Sequence, residues 1–420
     1  MKKLLCTVLS TVLAMSSAAA LNTSAYADSA NTQQVSYNYW YNSSTGYTDE
    51  NVHTRQMEKL DRGLIAIKTD GGVYLSWRLF DSEDNIFGSA DKNVSFNVYR
   101  DGKKISEVAT KTNYVDSTVG TNYSVAPVIN GVEGEKCNPV TVYNNSYFDI
   151  PLLKPDDETI YDPSGNELAT YSFFPADCST GDVDGDGEYE IIVKWTSSER
   201  DVGSPGDPAY SGTVHLAAYK LDGTKLWKND IALGKNVYSS AHTVQFLVYD
   251  FDGDGKSEVM CQTSLGSKDG QGKYVSNAAQ NDEEIKAITD EENSTADYRG
   301  YGRITEGKEF LTVFNGETGV AMDTINLPTT RGSENGVDYG DDFGNRSNRF
   351  VSDIAYLDGE KPYAIYLRGY YFGRNGKQRT SIAGISWDGT ALSPTYRFDT
   401  QKGQEGYYDG AYQYVGNGNH

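Results

Sequence analysis

The sequence predicts an all-β protein made of repeated small sheets behind a separate β-domain, and three observations carry that expectation. An acidic decapeptide occurs twice, at residues 182–191 and 250–259, each time running straight into an apolar stretch. A turn signature of an aromatic residue followed shortly by Asp-Gly or Asn-Gly recurs further on. Before both, short alternating runs are separated by Gly-Gly, Asp-Gly and Asn-Gly pairs, the pattern of hairpins.

In the first decapeptide Asp182, Asp184 and Asp186 alternate with Val183, Gly185 and Gly187, and Glu190 follows. In the second the same places hold Asp250, Asp252 and Asp254, with Phe251, Gly253, Gly255 and then Glu258. Carboxylates crowded onto alternate positions repel one another unless a hard cation sits among them, and glycine lets the backbone wrap it. These eight acids are the expected metal ligands, and calcium is the expected ion. An EF-hand needs its bidentate acid at loop position twelve, where this chain has Val193 and Cys261; its acid comes at position nine. The expected unit is therefore a calcium loop opening into a strand.

The two loops start 68 residues apart, at Asp182 and Asp250. The turn signature follows at Tyr219 to Trp227 around Asp222-Gly223, at Phe314-Asn315-Gly316, and at Trp387-Asp388-Gly389. Residues 352–359, followed by 363–368, read as a degraded acidic loop that keeps its strand. One inner strand and one outer hairpin per unit make a propeller blade. Blades are expected at 177–234, 244–330 and 350–400, with an acidic, Asn-rich insertion at 266–306 and the start of a fourth at 407–420. Propellers close with about four to eight blades, so residues 171–420 are expected to form an incomplete β-propeller, from a fragment or a truncated gene product.

The remaining segments divide by composition. Residues 1–27 carry Lys2 and Lys3, an apolar stretch from Leu4 to Ala20, and Ala25-Tyr26-Ala27, the parts of a secretory signal. Residues 28–54 form a polar leader. Alternating runs at 63–68, 73–78, 95–99, 113–116 and 122–128 predict an immunoglobulin- or fibronectin III-like sandwich over 55–145. Residues 146–170, with Pro151, Pro155 and Pro163, read as a linker.

Cys6 leaves with the signal, and Cys137, Cys178 and Cys261 are too few for a disulfide framework, which leaves calcium as the expected staple. No later stretch is long and apolar enough to span a bilayer, so export without a membrane anchor, to an extracellular location and as a monomer, is expected. A formal charge of −22 excludes nucleic acid as the natural partner. A polyanionic ligand would need local Arg and Lys or a bridging cation. Tyrosine outnumbers phenylalanine 32 to 14, as suits β-rich faces and surfaces that stack on sugar rings.

A family resemblance rests on an ordered set of motifs. These are residues 55–64, Ser76-Trp77-Arg78, residues 96–102, residues 181–187, Ala241-His242-Thr243, Gly344-Asn345-Arg346, Arg349-Phe350, residues 355–359, Arg368-Gly369-Tyr370-Tyr371 and Gly416 to His420. The chain resembles rhamnogalacturonan lyases of polysaccharide lyase family 11 from residue 55 to residue 420. The resemblance implies an eight-bladed, calcium-rich propeller behind a small β-domain, acting on the rhamnose–galacturonate backbone of pectic rhamnogalacturonan I by β-elimination. It also implies a propeller continuing past His420. Where the family has Ala-Asn-Asp before the first loop and Asp after Lys-Trp, this chain has Pro175-Ala176-Asp177 and Thr196, leaving Asp177 as the retained acid.

β-Elimination removes the C5 proton of a galacturonate, so an enzyme must neutralise the adjacent carboxylate and hold a base at C5. His242 and His420 precede acidic-loop positions, where inner strands open on a propeller's channel, and are the candidate bases; the resemblance favours His420. The bland reading, a histidine that only satisfies backbone, stands beside both. Arg346, Arg349 and Arg368, with Tyr370 and Tyr371, are candidates for carboxylate recognition and ring stacking. Their alternative is an ion-pair network with Asp341 and Asp342. Lys194 and Trp195 either line the channel or sit in the core. The acids of the two loops are expected to be structural, because they recur at equivalent blade positions. The expected activity is a secreted, calcium-assisted rhamnogalacturonan I lyase, with weak or no activity expected of this truncated 420-residue chain itself; the alternatives are a non-catalytic, calcium-dependent glycan-binding propeller and a catalytically dead truncation product.

Overall fold

Alternation and turn chemistry produce strands along nearly the whole described chain. The computed structural model describes residues 55–80, 83, 93–109, 111–197, 210–239, 243–300, 303–332, 334–369 and 379–400. The signal, the polar leader and residues 407–420 lie outside the described residues, as do His242, His420, Tyr370 and Tyr371. The described chain divides into two units, residues 60–148 and residues 55–59 with 149–400.

The first unit holds two antiparallel sheets. One pairs β1 (Ile65–Thr69), β2 (Gly72–Ser76) and β5 (Asn113–Asp116). The other runs β4 (Lys103–Val108), β3 (Val94–Arg100), β6 (Asn122–Ile129) and β7 (Val132–Glu133), with β8 (Val140–Thr141) also on β6. The turns between β3 and β4 and between β6 and β7 have both central residues at positive φ, Asp101 with Gly102 and Asn130 with Gly131. That is the twist-matched two-residue hairpin turn, which Asp-Gly and Asn-Gly supply at low cost. Ala66, Leu75, Trp77, Phe96, Val98 and Val125 from the two sheets bury a common core.

The second unit opens on a hairpin, β9 (Glu158–Tyr161) and β10 (Glu167–Tyr171), inside the segment expected to be a linker. Ile160 of that hairpin is buried. Three four-stranded antiparallel meanders follow. The first is β11 (Phe174–Gly181), β12 (Glu190–Thr196), β13 (His215–Tyr219) and β14 (Ile231–Ala232). The second is β15 (Phe246–Tyr249), β16 (Glu258–Ser264), β19 (Glu309–Phe314) and β20 (Ala321–Asn326); the third is β21 (Phe350–Ala355), β22 (Tyr363–Arg368), β23 (Ser381–Trp387) and β24 (Leu392–Asp399). The insertion between β16 and β19 carries helices α1 (Glu283–Lys286) and α2 (Asp290–Thr295) and the hairpin β17 (Arg299–Gly300) with β18 (Arg303–Ile304). Its small core is Leu265, Ala279, Ile285 and Ile288 against Phe310.

The middle sheet is buried on both faces, and the two-residue period of its strands says how. Phe246, Val248, Val259 and Cys261 face Ile192, Leu216 and Ala218 of the first sheet. Leu247, Met260, Leu311 and Val313 face Phe350, Tyr366, Ile385 and Trp387 of the third. Both acidic loops join a meander's first strand to its second, and β21 and β22 are joined the same way through Asp358-Gly359. Cys137, Cys178 and Cys261 are unpaired thiols.

The aromatic–Gly turns press against the acidic loops. A Cβ on Gly316 would lie 1.9 Å from the Ser257 carbonyl oxygen and 2.9 Å from the Val183 side chain, and one on Gly389 would lie 3.0 Å from Asp252 Oδ2. Trp227 Nε1 donates to the Gly316 carbonyl at 2.7 Å. Glycine is required at 316 by close approach of backbone to backbone. Gly316→Ala is expected to cost about 1–3 kcal/mol through overpacking, seen as a lower urea midpoint, whereas Gly300→Ala, whose Cβ would meet nothing nearer than 3.8 Å, should leave the midpoint unchanged.

Candidate functional site

The two acidic loops are superimposable in their hydrogen bonding. Asp182 accepts from the N–H groups of Gly185 at 2.7 Å and Gly187 at 2.8 Å, and Asp250 accepts from Gly253 at 2.7 Å and Gly255 at 3.0 Å. Asp184 and Asp252 each accept from the N–H two residues on, as do Asp186 and Asp254. Glu190 reaches back to the Val183 N–H at 3.0 Å, and Glu258 to the Phe251 N–H at 2.9 Å. The backbone thus folds around its own carboxylates and leaves three of them converging. One oxygen from each of Asp182, Asp184 and Glu190, and from each of Asp250, Asp252 and Asp254, lies within 4.8 Å of the others.

Those carboxylates are poorly placed without a cation. Burial raises the carboxyls of Asp182, Asp250 and Asp252, pushes Glu190 up to about 7 and pushes Glu258 up to about 9, with the neighbouring aspartates adding to the rise. Clustered hard oxygen donors that resist ionisation fit a divalent metal ion, which would supply the charge that burial denies them.

Of the residues expected to meet substrate, Asp177, Arg346, Arg349 and Arg368 are described, and they lie toward the other end of the sheets. Gly181 pairs with Glu190 at the acidic end of the first meander, and Phe174 pairs with Thr196 at its far end. Seven residues of strand span roughly 20 Å. Asp177 sits on the edge strand β11 near that far end, half exposed, with the buried Lys194 Nζ 3.5 Å from its Oδ2 and 3.0 Å from the Val244 carbonyl oxygen. Burial, first of all, lowers the Lys194 ammonium's affinity for its proton, while Asp177 opposes the shift.

Arg368 also ends its strand there, but its guanidinium is fully enclosed by protein. Nη1 and Nη2 donate to the two Glu309 oxygens at 2.8 and 2.6 Å, Nη1 also donates to the Thr329 carbonyl, and Nε donates to the Ser347 carbonyl at 2.5 Å. Arg331 donates to the same Glu309 from a second side. Of the two readings kept for the arginines, the ion-pair network describes Arg368, with Glu309 in place of Asp341 or Asp342: the carboxylate it forks onto belongs to the protein. Glu309 stays ionised although burial by itself would raise it, because Arg368 and Arg331 pull it below the usual glutamate range. Burial brings Arg331 down to about 10, still charged at neutrality.

Arg346 takes the expected neighbour, with Nε 3.9 Å from Asp341 Oδ2 and its backbone N–H donating to the same oxygen at 2.8 Å. Arg349 is buried, its Nε 3.3 Å from Asn345 Oδ1. Sequence reasoning missed Glu309, Arg331 and Arg379, which pairs with Asp399 at 2.5 Å. Glu309 opens a strand ending in the Phe-Asn-Gly turn, and nothing in its neighbourhood marks it as a buried anion.

This arrangement of meanders, acidic loops and a distant arginine cluster has known relatives. Residues 147–420 match the family model described as rhamnogalacturonan lyase family 11, C-terminal domain, and residues 55–143 match that of the rhamnogalacturonan I lyase β-sheet domain. The chain belongs to rhamnogalacturonan lyase family 11. Rhamnogalacturonan endolyase YesW of Bacillus subtilis (strain 168) is 43% identical over 371 residues, 87% of this chain and 52% of the relative. Rhamnogalacturonan exolyase YesX of the same organism is 40% identical over 373 residues, 87% of this chain and 53% of the relative. The crystal structure of exotype rhamnogalacturonan lyase YesX superimposes with a TM-score of 0.68 at 38% identity, over 84% of this chain and 52% of that one. The Bacillus licheniformis rhamnogalacturonan lyase gives a TM-score of 0.67 at 43% identity, over 84% of this chain and 55% of that one. The chain therefore spans about half the length of the family 11 relatives it matches.

Two expectations follow for this family 11 chain. In chelator-treated protein Glu190 and Glu258 keep their protons up to about pH 7 and about pH 9 when folded, but release them near the ordinary 4.5 when unfolded. The folded state then holds more protons across that window, so stability should fall as pH rises through it. Saturating divalent cation should flatten the slope in thermal melts. Separately, Glu309→Ala leaves two buried guanidinium groups without their carboxylate and should cost about 3–5 kcal/mol. Arg346→Ala, at a partly open site where the ion pair with Asp341 is long, should cost less than about 1 kcal/mol in the same denaturant titration.

Proposed function

We propose that this chain is a secreted, calcium-dependent rhamnogalacturonan I lyase polypeptide that cuts the rhamnose–galacturonate backbone by β-elimination, its three stacked meanders being blades of a β-propeller. The observation that carries this reading is family 11 membership across both matched domains, at about 40% identity to an endolyase and an exolyase. The sheet stacking supports the propeller, because each meander is four antiparallel strands in chain order, as a propeller blade is. The ligand set supports calcium over softer metals, because it is all carboxylate oxygen, with no histidine or cysteine in either loop.

Bound calcium would neutralise the loop carboxylates and hold adjacent blades together, away from the chemistry. The reaction belongs to the opposite end. There the C5 proton of a galacturonate must leave while negative charge builds on its carboxylate. Arg346, at a partly open position, is the guanidinium placed to pair with that carboxylate, and Arg349 stands beside it. Asp177, steered by Lys194, presents an acceptor to sugar hydroxyls from the edge strand β11. Arg368 acts indirectly, by holding the second and third sheets in register through Glu309. His242 and His420 are the candidate bases, and Tyr370 and Tyr371 the stacking candidates.

The test is ultraviolet absorbance of the unsaturated uronate formed on purified rhamnogalacturonan I, with and without chelator, beside unbranched polygalacturonan. The expected result is calcium-dependent absorbance on the first polymer and none on the second. Ala in place of the histidine that is the base should lower kcat by about 10²-fold or more. Retention on the polymer without absorbance would make the chain a binding module, and activity on polygalacturonan would overturn the substrate.

A further inference from the structure

The two acidic loops share their backbone bonds but not their surroundings, and the difference is a lysine. Lys220, directly after the last residue of β13, places Nζ 2.5 Å from Asp184 Oδ2 and 3.1 Å from Asp186 Oδ2. At the matching place in the second meander, after Phe314, stands Asn315, whose side-chain oxygen accepts from the N–H and hydroxyl of Thr318 within its own turn. The second loop's own lysine, Lys256, passes over Gly185 and ends on Glu317 at 2.6 Å. The converging carboxylates also differ between the loops. Asp254 joins Asp250 and Asp252 in the second loop, whereas Asp186, its counterpart held by Lys220, stands outside the group formed by Asp182, Asp184 and Glu190.

We propose that Lys220 is a built-in counter-cation of the first loop, so that the two loops are unequal: the second holds its calcium tightly, and the first binds calcium only as the Lys220 ammonium withdraws. This rests on the reading that both loops take calcium. A calcium ion needs about six to eight oxygen ligands at about 2.3–2.6 Å. Asp184 and Asp186 cannot give their oxygens to the ion and to an ammonium in the same place. If Lys220 stays near, its positive charge opposes a divalent ion; if it leaves, the hydrogen bonds to two carboxylates are lost. Both routes weaken the first loop relative to the second. The first loop is then the one that exchanges calcium when supply changes.

The experiment is calorimetric titration of calcium into the chelator-stripped 420-residue chain, with terbium luminescence as a second probe. The parent should show a tight and a weak class, with Asp184→Asn abolishing the weak class and Asp254→Asn weakening the tight one. Lys220→Gln, at a partly exposed position that folding tolerates, should tighten the weak class by about tenfold and leave the other unchanged. Equal affinities in the parent, or a Lys220→Gln variant with both classes unaltered, overturns the role of Lys220 while leaving calcium binding intact. Absence of any calcium binding overturns the calcium reading itself, and this proposal with it.

Discussion

Everything in the second unit depends on how clustered negative charge is tolerated where packed sheets meet. The first acidic loop crowds five carboxylates onto nine residues and the second crowds four, each at the head of a largely buried strand. Backbone N–H groups satisfy part of that charge, and the glycines permit the wrap, with Gly185, Gly187, Gly253 and Gly255 all at positive φ. The residual repulsion shows as carboxyls driven upward by burial. The neighbouring sheet's hairpin turn then closes on the loop, through Gly316 on Ser257 and Val183 and through Gly389 on Asp252. Loop, turn and sheet stacking form one construction, and disturbing the charge disturbs the stacking.

The same sheets separate structure from chemistry by length. Acidic loops occupy one end of the first and second meanders; Asp177 and Lys194 in the first, and Arg346 and Arg349 just before the third, lie toward the other. Between the second and third sheets the arginine end has its own fastening in Glu309, which a pair of guanidinium groups keeps charged in a dry interior. Such a triad is costly to break and geometrically exacting, which suits a position that holds two sheets in register.

Much of the fold was legible because its signals are local. Asp101-Gly102 and Asn130-Gly131 adopt the turns their composition calls for, and the three meanders begin and end within a few residues of the repeat signatures. The degraded loop at 352–359 kept its hairpin because Asp358 still caps the turn, accepting from Glu360, Lys361 and Tyr363. What escaped was polar or short. β4 reads Lys-Lys-Ile-Ser-Glu-Val and is largely solvated, β7 and β8 have two residues each, and β9 lies among prolines that suggest a connector. The two helices of the insertion are brief, and Thr289 caps the second with a reciprocal Glu292 bond that sequence spacing alone leaves as one option among several.

By itself the sequence determined what adjacent residues can settle: acidic loops, turns, strand alternation, the repeat and the family to which the chain belongs. Only the tertiary structure decided which charges meet. Arg368 looked like a ligand fork and is a core ion pair, because its partner Glu309 lies 59 residues away in sequence and in another sheet. Nothing in the sequence around Lys220 marks its partners, yet its ammonium lies on the first acidic loop. A side chain's chemistry is written locally; the charge it faces is set by which strands pack together, and that is a property of the folded chain.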